Sequence, residues 1–336
     1  MAERGTPVRL ADVAERAGVS LATASRSLTG TAGVSLKLAE HVRGVASAMG
    51  YVTNMHARTL AGGGESSIGL IVSEIGDPYF AEIASGVIGV AAENHRMVQI
   101  SHASDPATVL AQIRLLRAYR VGAIVLAGSG HVDPAADAAA DAELASFQAA
   151  GGRVAVVGRH HIAADAVLPD NVAAGRSIAR HLLDLGHRRV ALIAGPATLN
   201  TVADRLAGLR EVLGDSVVSV THHAFSREGG ASGAAELLDT HPDVTAIVAL
   251  SDVMAIGVLA TLRERGIRVP SEISVAGFDD IPVAADVSPA LTTARLPMAG
   301  IGAAALRLTM LDPASRPRRK TSGHELIVRE STGHAR

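Results

Sequence analysis

The sequence predicts an all-α helix-turn-helix head followed by an α/β core of two doubly wound parallel-sheet subdomains. Three observations carry that expectation. Three short helical periods crowd into residues 8–50, three consecutive glycines interrupt the chain at 62–64, and short apolar runs alternate with amphipathic stretches from about 67 to 331. A chain of 336 residues is long for one core and comfortable for two or three.

In the head, Leu10, Val13, Ala14 and Ala17 fall at i, i+3, i+4 and i+7 and define one helix face. Gly18 breaks that helix, and Ser20 stands where an N-cap would open the next one. Ala24 and Leu28 give the second helix a narrow apolar face, and Val42, Val45, Ala46 and Met49 repeat the pattern in a third that stops at Gly50. Two helices joined by a tight Gly-containing turn, with a third behind them, describe a helix-turn-helix module over 1–53. Residues 54–61 are too few for an isolated stable helix in water. With Gly62, Gly63 and Gly64 they read as a hinge and linker spanning 54–65.

From residue 66 onward the strand candidates are 68–73, 98–102, 123–128, 154–158, 190–195, 217–222, 246–251 and 273–278, with helices such as 79–94, 171–186 and 252–266 between them. Such alternation implies parallel sheets covered on both faces, with ligands at the carboxyl ends of the strands. That many strands exceed one comfortable sheet, so two similar subdomains are expected within 66–336. No internal repeat of 20–50 residues is evident, and the Ala-rich stretch 134–145 reads as ordinary helix.

Composition narrows the function. Hydrophobic residues make up 48% and charged residues 19%, which is a folded protein and not a solvated tail. The absence of cysteine excludes a disulfide framework and a thiolate zinc site, and fits a reducing, cytoplasmic setting. Residues 1–9 lack the apolar run of a secretory signal, and no apolar run is long enough to span a bilayer. Net charge is −2, yet within 1–65 the seven basic residues (Arg4, Arg9, Arg16, Arg26, Lys37, Arg43, Arg58) outnumber five acidic ones. No phosphate-binding glycine loop, no GxSxG and no HExxH occurs; neither an enzyme, a cofactor nor a metal site is expected.

These residues resemble the lactose/galactose repressor (LacI/GalR) family. The run LADVAERAGVS at 10–20, then TASRSL at 23–28, is similar to the family's DVAxxAGVSxxTVSRVLN with spacing intact. YVTN at 51–54 and ARTL at 57–60 resemble its hinge, usually YxPNxxARxL. Further matches follow in order: Asp77-Pro78-Tyr79-Phe80, Asp170-Asn171, Gly186-His187-Arg188-Arg189, Arg205-Leu206-Ala207-Gly208, Ser251-Asp252-Val253-Met254-Ala255, ISVAGFDD at 273–280, PALTT at 289–293 and VRES at 328–331. The resemblance implies a periplasmic-binding-protein-like core and a homodimer that binds near-palindromic double-stranded operator DNA, with no membrane partner. The subdomain bounds it implies are about 66–167 and 295–320 for an N-subdomain, and about 168–290 and 321–336 for a C-subdomain. It further implies a repressor released by a sugar-like effector, or alternatively a corepressor-dependent regulator of a nucleobase or nucleoside. A solute-binding protein of the same bilobal architecture is the remaining alternative, and the DNA head argues against it.

By the resemblance, the helix from Ser20 to Leu28 lies in the major groove. Leu21 and Ala22 read bases by apolar contact, Arg26 reaches a base or a phosphate, and Thr23 and Ser25 hold phosphates, with Thr29 also assigned to the DNA face. Asn54 and Arg58 belong to the hinge, and Leu60 wedges into the minor groove. The implied effector site comprises Asp77, Tyr79, Phe80, Arg159, Arg205, Phe225, Ser251 and Asp279; carboxylates and a guanidinium grip hydroxyls while the aromatics supply a face. The alternative for Phe80 and Phe225 is core packing, and for Arg205 a structural ion pair. Four departures from the family pattern stand out. Arg9 replaces a capping Thr and Thr53 the hinge Pro, Ser251 replaces a frequent Asn, and Gly158-Arg159 stands where Asp-Arg is common. No leucine heptad follows Ser331, so a dimer is expected without a tetramerising tail.

Overall fold

In the head, α1 (Leu10–Arg16), α2 (Leu21–Thr29) and α3 (Leu36–Ala48) enclose a small core of Val13, Ala14, Ala24, Val42 and Ala46. Gly18 turns the chain at φ +66°, a left-handed angle that costs glycine nothing. Ser20 and Ser35 cap α2 and α3 by accepting from Thr23 N and Leu38 N. The missing Thr at position 9 is partly compensated from inside the helix, where the Asp12 carboxylate accepts from Arg9 N at 2.7 Å. This computed structural model describes residues 8–30, 32–51 and 67–336, and the chain divides into two compact units, Met1–Glu65 and Ser66–Arg336.

The second unit contains two six-stranded sheets. The first uses β1 (Ile68–Val72), β2 (Val98–His102), β3 (Ala123–Ala127), β4 (Arg153–Val157), β5 (Asp165–Leu168) and β11 (Arg319–Thr321) in the order β11-β5-β4-β3-β1-β2, parallel throughout. The second uses β6 (Val190–Ala194), β7 (Val217–His222), β8 (Ala246–Ala249), β9 (Ser274–Asp279), β10 (Thr292–Arg295) and β12 (Glu325–Ile327) in the order β12-β10-β9-β8-β6-β7. Only β12 runs antiparallel there, a departure from the all-parallel expectation. β1, β3, β6 and β8 are buried at every position, as strands covered on both faces must be. β10 belongs to the second sheet, so the crossover into the N-subdomain falls just after Arg295.

The helices of the first subdomain are α4 (Pro78–Glu93), α5 (Pro106–Ala118), α6 (Pro134–Ala149) and α11 (Met298–Met310). Those of the second are α7 (Asn171–Asp184), α8 (Asn200–Leu213), α9 (Arg227–Thr240) and α10 (Asp252–Glu264). One repetition escaped the sequence reading. α4, α5 and α6 each begin with an Asp-Pro pair, at 77–78, 105–106 and 133–134, the Asp capping and the Pro at the first helical position. These caps therefore stand on the side of the sheet where the strands end.

α11 returns across the N-subdomain to pack on α4 at backbone distance. A Cβ at Gly302 would fall on the Ile83 carbonyl oxygen, and one at Gly86 on that of Ala299. Gly302→Ala is accordingly expected to cost about 1–3 kcal/mol by overpacking. Gly89, on the open face of α4 with nothing within 4 Å of such a Cβ, is the control: Gly89→Ala stabilises by about 0.5–1 kcal/mol through helix propensity. Urea denaturation of the two variants checks the contrast, and equal effects would deny the close packing.

Candidate DNA-reading face and ligand cleft

The first turn of α2 is presented for contact. Leu21 is 54% exposed at the start of the helix, so its side chain is open to a partner. Ala22 and Arg26 are exposed beside it, and Thr23 and Ser25 are half-buried. The Ser20 hydroxyl bonds the Thr23 hydroxyl at 2.8 Å as well as its N–H, which holds the first turn rigid. Arg26 Nε donates to the Ala22 carbonyl at 3.3 Å, so its fork starts anchored on the exposed face. The Thr29 hydroxyl donates to the Ser25 carbonyl at the far end of the helix. Asn54, Arg58 and Leu60 lie outside the described residues.

In the core unit a cleft of about 390 Å³ opens between the carboxyl ends of the two sheets. Asp77, Tyr79, Phe80, Arg205, Phe225, Ser251 and Asp279 all line it, seven of the eight residues the sequence assigned to it. Arg159 does not. It sits in a smaller neighbouring groove, exposed and paired to Asp204 at 2.7 Å. With Gly158 in place of the family's Asp, that loop presents no carboxylate to the cleft.

The floor is a buried ion pair. Arg205 Nη2 lies 2.6 Å from Asp279 Oδ1 and Nη1 lies 3.3 Å from Oδ2, the side chains 3% and 5% exposed. Arg205 also donates through Nε to Asn171 Oδ1 at 2.9 Å and through Nη1 to the Leu250 carbonyl, and its guanidinium stacks 4.7 Å from the Phe278 ring centroid. Four of its five N–H donors are thus taken among the described residues, leaving one on Nη2. The ion-pair alternative and cleft placement therefore hold together, in one residue.

The turn carrying Asp279 is strained, with φ +105° at Asp279 and +56° at Asp280, angles rare for non-glycine residues. Several groups hold it. Asp252, fully buried at the start of α10, accepts from Ile281 N at 3.0 Å and from the Thr293 hydroxyl at 2.6 Å. Asp280 is bracketed by Arg295 and Arg329, each at 2.7 Å. The sequence reading quoted Asp252, Asp280 and Arg329 inside motifs without giving them this work.

Burial pushes Asp77 up to about 6, with neighbouring Asp279 and Glu74 adding to it and Tyr79 N–H and Arg205 opposing. Burial also raises the Tyr79 hydroxyl and depresses His160, against the opposing pull of its hydrogen bond to the Gly128 carbonyl at 2.8 Å. Lining residues that the sequence reading missed include Ser129, Asp137, Asp141 and Thr201. Asp137 and Asp141 were legible as an i, i+4 pair on the Ala-rich helix.

One flank of the cleft is stitched between subdomains. The first N–H groups of α8, Asn200 and Thr201, donate to the Gly130 carbonyl and the Ser129 hydroxyl of the N-subdomain, both at 2.9 Å. Asn200 Nδ2 donates to the His131 and Arg159 carbonyls, each at 2.9 Å, and Val132 N donates to the Thr198 carbonyl at 2.8 Å. No side chain of its own subdomain caps α8, so its cap comes from across the cleft.

A recognition helix with an exposed first turn, joined to a bilobal ligand cleft, defines a DNA-binding regulator with an effector domain. Residues 9–54 match the family model of bacterial regulatory proteins of the lacI family, and 179–332 match the periplasmic binding protein-like domain. The chain is 32% identical over 334 residues to the HTH-type transcriptional regulator DegA of Bacillus subtilis, covering 96% of this chain and 97% of that one. Among solved structures it is similar to a lac repressor dimer bound to operator and an anti-inducer (25% identity, TM-score 0.84, 98% and 100% coverage). A complex of transcriptional regulator CelR with cellobiose is similar as well (29% identity, TM-score 0.71, 96% and 99% coverage). This protein belongs to the lacI family of transcriptional regulators.

Arg205→Ala leaves Asp279 buried without its partner, and is expected to destabilise the core by about 3–5 kcal/mol. Arg205→Met together with Asp279→Asn is expected to cost less than the sum of the single changes, as chemical denaturation of the three variants would show. A second expectation concerns pH. Because the Asp77 carboxyl is raised in the folded state, its contribution to stability is full below pH 4 and is lost as pH rises through about 6. Asp77→Asn keeps the cap acceptor and removes that loss. Its melting temperature should therefore gain on the wild type between pH 4 and 7.5, and a constant difference would refute the assignment.

Proposed function

We propose that this regulator is a homodimeric repressor that grips a near-palindromic operator and lets go when a small hydroxylated, sugar-like effector fills the cleft. The observation that carries the reading is the position of α8. Its first turn is capped by the opposite subdomain, and one turn later it supplies Arg205 to the cleft floor. Ser129 and Thr201, partners in the stitch, line the cleft themselves. A ligand touching them changes the bonds that set the angle between subdomains, and that angle sets the spacing of the two hinge segments at 54–65 in a dimer. Relatives support the ligand class: CelR is solved with cellobiose, and another lacI-family regulator with ribose.

The dimer has a candidate face. β2 is the open edge of the first sheet, and Met97, Ile100 and, on α4, Ile88 are exposed there at 71%, 41% and 45%. A second copy of this chain, as in the lac repressor dimer, covers such apolar surface. A regulator of this kind works in the cytoplasm with its operator, and among the described residues no helix is long and apolar enough to cross a membrane.

The test is a gel-shift titration against an operator recovered by selection from random DNA. Arg26→Ala is expected to lose roughly 1–3 kcal/mol of affinity for the selected site and little for random DNA. Equal losses would make Arg26 a phosphate anchor. A sugar that raises the melting temperature of the protein should weaken operator binding by about 5- to 150-fold, and tightening instead would make it a corepressor.

A further inference from the structure

The core unit is acidic overall, yet one end of its first sheet is not. Residues 66–336 carry 24 Lys and Arg against 28 Asp and Glu. The first sheet is parallel throughout, so all its strands begin on one side, opposite the ends that line the cleft. At that amino end stand Arg316, Arg319 and Lys320 around the start of β11, Arg153 as the first residue of β4, and Arg120 shortly before β3. All but the half-buried Arg153 are exposed, and none of the five makes an ion pair or a side-chain hydrogen bond among the described residues. The acids nearby are mostly matched already: Arg318 holds Asp165 at 2.9 Å and Arg307 lies 3.8 Å from Glu93, with Asp312 the exception.

Cations at helix C-termini answer the helix dipole, and charge on an open edge strand deters pairing with another sheet. The second sheet shows what those needs alone produce. At its amino end Arg189 pairs with Asp243, Arg265 with Asp239 and Arg268 with Glu272. The first sheet keeps its cations unmatched instead, and Tyr119, beside Arg120, is 57% exposed there and adds a hydroxyl.

β11 and β3 are separated by β5 and β4, so at a strand spacing of about 4.8 Å the row is roughly 15 Å wide. A row of that width fits a polyanion, and a DNA duplex carries a phosphate charge about every 1.7 Å of its axis. Chain connectivity selects DNA over other polyanions. β1 begins at Ile68, so residues 54–65, which lead to the DNA-binding head, join the core at this same end. That segment can span at most about 40 Å. We infer that the amino end of the first sheet is a second DNA contact, which holds duplex phosphates outside the site read by the head and reads no sequence itself. β11 is the sheet edge opposite β2. With β2 at the proposed dimer face, the two rows point outward, toward the DNA on either side of the operator.

The test measures operator binding by the full-length protein over a salt series, using fluorescence anisotropy. Two duplexes are compared, the selected operator alone and the same operator extended on each side by about 20 base pairs of unrelated sequence, two helical turns. The wild type is expected to bind the extended duplex about tenfold more tightly at low salt, with a log–log salt slope steeper by about 0.9 for each added phosphate contact. The combined variant Arg120→Gln, Arg153→Gln, Arg319→Gln and Lys320→Gln should bind both duplexes alike, at the wild-type affinity for the short one. Arg120→Lys, Arg153→Lys and Arg319→Lys together keep the charge and should keep the advantage of the long duplex, because a phosphate needs a cation more than a fork. Equal binding of the two duplexes by the wild type overturns the inference, as does an advantage that survives in the glutamine variant. Loss of the advantage in the lysine variant would make the row structural, and equal weakening on the short duplex would confine its effect to the head's own site; either result also overturns it.

Discussion

A guanidinium and a carboxylate that share almost no contact with water can persist only as a pair, and the geometry around Arg205 and Asp279 follows from that requirement. Asp279 must end its strand pointing at Arg205, which forces two successive aspartates into left-handed backbone at an expense of about 1–3 kcal/mol each. Asp252, Thr293, Arg295 and Arg329 surround that turn, and their bonds supply what the backbone gives up. Arg205 in turn fixes α8 against Asn171 of α7 and the Leu250 carbonyl after β8. The pair is thus a keystone of the C-subdomain as well as the floor of the cleft, and its spare N–H is held on a group that cannot swing away.

Fixing α8 has a consequence across the cleft. A helix N-terminus leaves backbone N–H groups that need acceptors, and α8 finds them in Gly130 and Ser129 of the other subdomain. Any opening of the cleft on this flank exposes those donors and separates the buried Asn200 from the His131 and Arg159 carbonyls. Exposed donors can turn to water, so opening is affordable; buried and unpaired they could not. Two arrangements of similar free energy are what a small ligand needs in order to choose between them. On the proposed reading, the stitch is the contact on which a ligand acts, and the ion pair ties α8 to the rest of the C-subdomain.

The sequence carried most of this in two kinds of signal. Gly18, Ser20 and the apolar period of the head are local chemistry, and they placed α1, α2 and the end of α3 within a residue or two, while the start of α3 at Leu36, capped by Ser35, went unread. Strands buried on both faces read as continuous apolar runs, which is why β1, β3, β6 and β8 were legible. β11 and β12 were not: each has three residues, half-buried or exposed, and pairs with a strand remote in sequence. Arg159 was misplaced for a related reason. Proximity to a motif says which loop a residue occupies, but its direction was decided by Asp204, forty-five positions away and in the other subdomain. The acidic wall was written plainly in the Asp-Pro pairs and in Asp137 and Asp141, yet only the fold shows that helices starting at the ends of adjacent strands bring those groups to one cavity.

Asp77 and Asp105 measure how strongly that cavity acts. Both are aspartates preceding a proline, both cap a helix, and both accept from the N–H two residues on at 3.0 Å. A helix N-terminus favours the charged form of either. For the exposed Asp105 this prevails, and Thr108 and Ala107 hold its carboxyl below the usual value. For Asp77 burial overrides the same cap and lifts the group to about 6. The two differ in solvent access and in partners: Asp105 accepts from Ala107 N, Thr108 N and the Thr108 hydroxyl, whereas Asp77 is buried with a single N–H donor and has Asp279 and Glu74 as neighbours. Asp105 lines the same cleft, and a ligand that excluded water from it without supplying positive charge would push it toward the condition of Asp77.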